Sequence, residues 1–258
     1  MYFCYMVVFR VLYKIYFAVV FMAIGIVLYP LIWVLTKTKM TKALYAVKVN
    51  LWWPLLQVFL GYPVRTLRPK NFKFPEGPFV VVANHQSYLD IMSMYTILYG
   101  HVFFFLGKDS LRKFPIIGLF FRAPQLHVPV KRENKTEASQ SLKEISSRLD
   151  NGFPIIIFPE GTQSKKAPEM NPFKAGAFKV AIEKKVPIVP ICFPNNYKFL
   201  SLIHKANGPS RPGLIKAIIH EPIDTSSLSM DDLVSLQERV YSLLESDLKN
   251  YHPEHFKS

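Results

Sequence analysis

Two kinds of hydrophobic pattern divide the chain. Ile15 to Thr36 is a run of 22 residues without a charged side chain. Coiled as a helix it extends about 33 Å, enough to cross a hydrocarbon core of about 30 Å. Gly25 and Pro30 lie inside it, and membrane helices tolerate both. A cleavable signal peptide is the rival reading, but the run is long for one and no small-x-small cleavage site follows. The next apolar stretch, Ala43 to Tyr62, is interrupted by Lys48, Asn50, Pro54 and Gln57. The interruptions predict an interfacial or re-entrant helix with Trp52 and Trp53 at headgroup level. An ordinary amphipathic helix packed on the globular part is the alternative.

Beyond Pro63 the apolar runs become short. Val64–Leu67, Phe79–Ala83, Val102–Leu106, Leu126–Val130, Ile155–Phe158, Val186–Phe193 and Ile215–Ile219 read as strands. Prolines within Val186–Phe193 point to an edge strand or a strand start. Between these runs, Leu89–Leu98, Lys108–Phe114, Thr136–Leu149, Ala175–Lys184 and Ser229–Leu248 carry helical patterns. The last places Leu233, Leu236, Val240, Leu244 and Leu248 on one face behind a Ser229…Asp232 box. The predicted class is α/β: a mixed, mostly parallel sheet flanked by helices, preceded by a membrane-embedded helical hairpin. Residues 1–62 are expected to form the anchoring part and 63–258 the α/β domain.

Polar residues gather where strands end. PFVVVANHQSYLD, Pro78 to Asp90, passes from a buried strand into His85, Gln86, Ser87 and Asp90. Open α/β sheets present their chemistry at such carboxyl ends. His85 and Asp90 are five apart, about 500° of helical rotation. For the two to touch, His85 must sit in a turn and Asp90 in the first turn of the following helix, with Asn84 or Ser87 as its cap. The plain alternative is a junction whose polar residues only cap and solvate. A second cluster follows Ile155–Phe158, where Pro159 and Gly161 fit the second and fourth places of a type I turn. Parallel neighbouring strands would bring both clusters to one crevice.

Composition narrows the partners. The 258 residues carry a net charge of +14, half are hydrophobic and the mean hydropathy is +0.16. Six lysines and arginines but no acid occur in residues 1–60, and the first acid is Glu76. Such a chain attracts a polyanion, whether anionic lipid, phosphorylated substrate or nucleic acid. Positive charge on both flanks of Ile15–Thr36 gives no firm orientation. No nucleic-acid fingerprint is present, which excludes the last partner. Cys4 and Cys192 cannot build a disulfide framework and fit a reducing compartment.

The histidines form no ligand-spaced pair with Cys or Glu, so no metal site is expected. Neither GxGxxG, GxxxxGK[ST] nor GxSxG occurs. What remains is His85 with Asp90, and Glu160, Gly161 and Thr162. A His–carboxylate pair without a nucleophile of its own suits attack by a substrate hydroxyl, with the imidazole as general base. Lys108, Lys131 and Arg132 are candidate phosphate ligands, or ordinary solvated charges.

NHQSYLD at 84–90, FPEGT at 158–162 and VPIVPI at 186–191 together resemble the glycerolipid acyltransferase superfamily. Within it the chain is similar to the lysophosphatidate (1-acylglycerol-3-phosphate) acyltransferases. Lys108…Leu111…Pro115…Gly118 with Pro129-Val130-Lys131-Arg132 resembles a further block, as does the segment from Asn171 to Phe178. The resemblance implies acyl transfer from acyl-CoA or acyl carrier protein to the 2-hydroxyl of lysophosphatidate. It implies His85 as base, Asp90 as its orienting partner, and Glu160, Gly161 and Thr162 shaping the acceptor site, with Arg132 on the phosphate. No cofactor, metal or covalent acyl-enzyme is implied. Gln163 stands where the family usually has Arg or Ser, Lys131 where Asp is common, and the block's later glycine is not evident in 122–127. The segments FPEGTQSKKAP and PICFPNNYK look closer to bacterial members, so a bacterial inner membrane with a cytoplasmic active site is expected (endoplasmic reticulum in a eukaryote). Two rivals remain: the same fold acting on another acceptor, such as glycerol 3-phosphate or an aminolipid, and a non-catalytic lipid-binding protein.

Overall fold

The computed structural model describes residues 2–108, 127–130, 135–201 and 208–256. Lys131, Arg132 and the helical pattern that begins at Lys108 and runs to Phe114 lie, from 109 onward, outside the described residues. Among the described residues seven strands make one sheet: β1 (Val64–Leu67), β2 (Val80–Ala83), β3 (Phe104–Lys108), β4 (His127–Val130), β5 (Ile155–Ile157), β6 (Ile188–Cys192) and β7 (Ile215–Ile219). Their order is β1-β7-β6-β2-β5-β3-β4, and every neighbouring pair is parallel except β6 and β7. Both faces of such a sheet must be covered, which is why β2, β5 and β6 are unbroken apolar runs.

The period of two decides which face each residue joins. Val81, Ala83, Phe105, Ile156, Val189 and Ile191 pack under the N-terminal helices and α4 (Tyr88–Ile97). Val80, Val82, Phe104, Ile155, Ile157 and Ile188 pack under α5 (Lys135–Asp150), α6 (Gly176–Lys184) and α7 (Leu233–Tyr251). In α7 the buried side chains are Leu236, Val240, Leu244 and Leu248, the stripe the pattern predicts, behind a Ser229–Asp232 capping box.

The N-terminal part is longer and more tightly packed than its pattern suggests. Helix α1 runs from Tyr2 to Lys37, taking in Arg10, Lys14 and Pro30. After a turn comes a second rod made of α2 (Thr41–Val47), a π turn (Lys48–Trp52) and α3 (Trp53–Leu60), which ends at Gly61 in the left-handed conformation. Both rods are long and apolar enough to cross a membrane. Trp52 and Trp53, expected at headgroup level, both pack against protein. Trp53 is buried with its indole N–H on Thr96 Oγ1 at 2.7 Å, and Trp52 packs edge-on against Phe21 and Tyr95. The polar interruptions of the stretch therefore mark a helix that turns an apolar side toward the sheet.

The edge reading of the proline-bearing strand is also corrected, because β6 lies inside the sheet. Pro187 does precede the strand start, but Pro190 pairs with Val82 of β2 in mid-strand. Its missing N–H faces β7 at the one antiparallel junction, where the ladder holds only Ile191↔Ile219 and Cys192↔Ile218. The Pro190 carbonyl still accepts from His220 N at 3.0 Å. A ladder that is already short there has no bond to lose.

Candidate active site

Strand β2 delivers its polar cluster through two local devices. Asn84, fully buried, clips the strand end to β6 by donating Nδ2 to Phe193 O at 3.0 Å and accepting Phe193 N at 2.7 Å. Ser87 then caps α4, its extended backbone and side-chain oxygen meeting Leu89 N at 3.1 Å. Asp90 completes the capping box from the third helical position. The Ser87 hydroxyl also donates to Leu200 O at 2.6 Å. With one proton and its acceptor capacity spent on backbone, Ser87 is a structural residue rather than a nucleophile.

Asp90 is wholly buried and accepts four hydrogen bonds. Oδ2 takes Gln86 N at 2.6 Å, Ser87 N at 2.8 Å and His85 Nδ1 at 2.9 Å, while Oδ1 takes Asn196 Nδ2 at 2.8 Å. Four donors at the positive end of α4 stabilise a buried anion that would otherwise be costly. An oxygen that accepts two backbone N–H groups carries no proton to give, so His85 Nδ1 must be the donor. The tautomer follows: Nε2 holds the lone pair. Among the described residues Nε2 has no protein partner, and the ring is partly exposed. This is the arrangement of a base held by its far nitrogen.

The second cluster supports the first from below. Phe158 stacks on the His85 ring at 4.3 Å between centroids and 22° between planes. Gly161 N bonds Phe158 O at 3.0 Å, closing the expected turn, and Gly161 has φ +72°. A methyl there would be strained and would come within 2.9 Å of Lys174 Nζ, which lies over the turn. Glu160 is turned inward: Oε1 accepts His85 N at 2.6 Å and Oε2 accepts Asn171 N at 2.7 Å. Burial pushes its carboxyl up to about 7, against the pull of those two backbone N–H groups. Ser164 N reaches His85 O at 2.9 Å, so both backbone groups of His85 are fixed by the 160–164 segment.

His85, Asp90, Glu160, Gly161 and the exposed Thr162 thus meet at the carboxyl ends of the central strands, as the parallel pairing of β2 with β5 requires. Lys108 is the last residue of β3, at the same end of the sheet; Arg132 lies outside the described residues. Asn84, a candidate cap in the sequence, instead clips the strand end, and the supporting roles of Asn196, Phe158, Ser164 and Asn171 were not expected. Asn196 had a legible signal, since PNN follows β6 as NHQ follows β2. Asn84 had none, because its partner lies 109 residues away.

Residues 65–194 match the acyltransferase family model. The chain is 31% identical over 171 residues to the chloroplastic 1-acyl-sn-glycerol-3-phosphate acyltransferase BAT2 of Brassica napus, covering 66% of this chain and 48% of that one. A 1-acyl-sn-glycerol-3-phosphate acyltransferase of Haemophilus influenzae is 27% identical over 195 residues, covering 75% and 78%. The chain spans about half the length of its plant relatives. The crystal structure of PlsC, the 1-acyl-sn-glycerophosphate acyltransferase of Thermotoga maritima, superposes with a TM-score of 0.73 over 94% of this chain and 96% of that one, at 23% identity. A matched segment that contains both strand-end clusters and covers half of the sequence settles the family: the chain is an acyltransferase-family protein.

Proposed function

We propose that the protein transfers an acyl chain from acyl-CoA or acyl carrier protein to the 2-hydroxyl of lysophosphatidate, giving phosphatidate for phospholipid synthesis. The observation that carries the reading is the 2.9 Å His85–Asp90 pair, with Nε2 free of protein partners among the described residues and the Ser87 hydroxyl committed to backbone. The attacking oxygen is then the acceptor's own. Nε2 takes the hydroxyl proton as that oxygen adds to the thioester carbonyl, and Asp90 stabilises the imidazolium. Collapse of the tetrahedral adduct breaks the C–S bond, and the imidazolium returns the proton to the leaving thiolate. Glu160 acts by holding the His85 backbone, while Gly161 and Thr162 border the acceptor. Lys108 and Arg132 are proposed as phosphate ligands. The relatives' names support the choice of acceptor.

Residues 1–62 are proposed to anchor the catalytic part, 63–258, to a membrane with the strands' carboxyl ends on the cytoplasmic side, a bacterial inner membrane in keeping with the style of the motifs. Purified protein with labelled acyl-CoA and, in parallel, lysophosphatidate, glycerol 3-phosphate and an aminolipid tests the reading. Preferred transfer to lysophosphatidate is expected. Absence of transfer to all three acceptors, with either donor, overturns it.

A further inference from the structure

Away from His85 the fold holds a cavity of about 590 Å³ between the start of α1 and a hairpin after β6. That is the size of a small-molecule site, about 300–1,000 Å³. The hairpin is defined by Ser201 N on Pro209 O at 2.8 Å and Arg211 N on Phe199 O at 2.9 Å. From α1 the cavity receives Tyr5, Met6, Phe9 and Arg10, from the hairpin Arg211, and from the 3-10 turn just before it Lys198, whose Nζ also lies 3.4 Å from His252 Nδ1, itself 3.5 Å from Glu254. One wall is thus aromatic and aliphatic, and cations stand around it. Both walls come from acid-free segments: neither residues 1–75 nor 184–220 contain Asp or Glu. Arg211 is exposed and rests over the Phe199 ring at 5.4 Å, and Tyr5, Met6 and Phe9 are all half or more exposed.

We propose that this cavity binds an anionic phospholipid of the bilayer, with the phosphate among Arg10, Lys198 and Arg211 and an acyl chain along Tyr5, Met6 and Phe9. The inference rests on the reading of α1 as a membrane segment. Charge complementarity selects the headgroup, and the apolar wall on α1 selects a lipid over a free phosphate. The same stretch of chain supports the catalytic site: Leu200 O accepts the Ser87 hydroxyl, and Asn196, two residues before Lys198, donates to Asp90. A bound lipid therefore steadies the segment that holds Asp90 and sets the site at headgroup height.

The test uses the full chain in phosphatidylcholine vesicles doped with a photoactivatable phosphatidylglycerol carrying its reactive group on the acyl chain. Labelling of the peptide containing Tyr5 to Phe9 is expected, with little from the matching phosphatidylcholine probe. The R10Q/K198Q/R211Q triple variant is expected to lower that labelling on the order of 100-fold, about fivefold for each basic residue near the surface. Arg211→Lys alone should keep it. In neutral detergent the triple variant should retain wild-type transferase activity, while losing the stimulation that phosphatidylglycerol gives in vesicles. Equal labelling by the phosphatidylcholine probe, undiminished labelling of the triple variant, or displacement of the probe by inorganic phosphate would each overturn the proposal. A raised KM for lysophosphatidate in detergent would also overturn it, by making the cavity an acceptor site. Labelling as expected in a protein without transferase activity would defeat the functional reading and leave this one standing.

Discussion

At the residue scale the site is an imidazole whose two nitrogens have been given different tasks by one buried carboxylate. His85→Ala should lower kcat by roughly 10²–10⁴ with the fold intact, measured as labelled phosphatidate formed. Undiminished transfer would remove His85 from the mechanism. Asn196→Ala leaves Asp90 Oδ1 without its donor. Hydrogen bonds to charged groups contribute about 1.5–3 kcal/mol, so kcat should fall roughly ten- to a hundredfold. KM for the acceptor should not move, because Asn196 acts through Asp90; a KM effect alone would make it a substrate ligand. Ser87→Ala should cost about 1–2 kcal/mol of stability as a lost cap, read from denaturant midpoints, while transfer persists. Spacing showed where His85 and Asp90 must sit if they are to touch, and the family resemblance, not the spacing, implied that they do. Of the carboxylate's other donors, Gln86 N and Ser87 N are local, whereas the PNN after β6 marks Asn196 as a strand-end residue without showing that it reaches Asp90 across 106 residues of chain.

At the scale of elements, the turn after β5 is the support on which β2 presents its histidine. Glu160 gives that support a pH dependence. Its carboxyl is held at about 7 in the fold against an ordinary 4.5. Between those values the native protein keeps a proton that the unfolded chain has released. Stability therefore falls as pH rises from about 4.5 to 7 and levels off above, by up to about 3 kcal/mol. Melting temperatures from pH 5 to 7 should show this slope in the wild type and lose it in Glu160→Gln. An equal slope in both would assign the effect to another group. The turn itself was legible, because Pro159 and Gly161 have fixed places in it. What could not be read was the direction of the Glu160 side chain, which packing decides. Pro190 was misread for a related reason: whether a strand can lack an N–H depends on what its neighbour offers there, and the neighbour, β7, is set by topology.

At the scale of the whole molecule, the two N-terminal rods are as much a roof for the sheet as an anchor. Trp53, Leu56, Leu60 and Tyr62 share one apolar cluster with Phe79, Val81, Phe103 and Phe105. Residues 63–258 produced alone should therefore expose one sheet face and bind a hydrophobic dye or aggregate. A soluble, cooperatively melting fragment would show that the roof is dispensable. The apolar length of α1 was plain in the sequence. Its inward packing was not, because a helix apolar on every side does not advertise which side meets protein.

The pairing of β1 with β7 sets an order of events during synthesis. Val64 lies beside Ile215, about 150 residues later, and β1 has no other neighbour in the sheet. At about 5–20 residues per second a ribosome needs roughly 8–30 s to supply that partner. Through that interval the N-terminal rods are already made while the strand next to them has a bare edge on both sides. The nascent chain is at its most vulnerable to mispairing then, and the sheet can be completed only once Ile219 has left the ribosome.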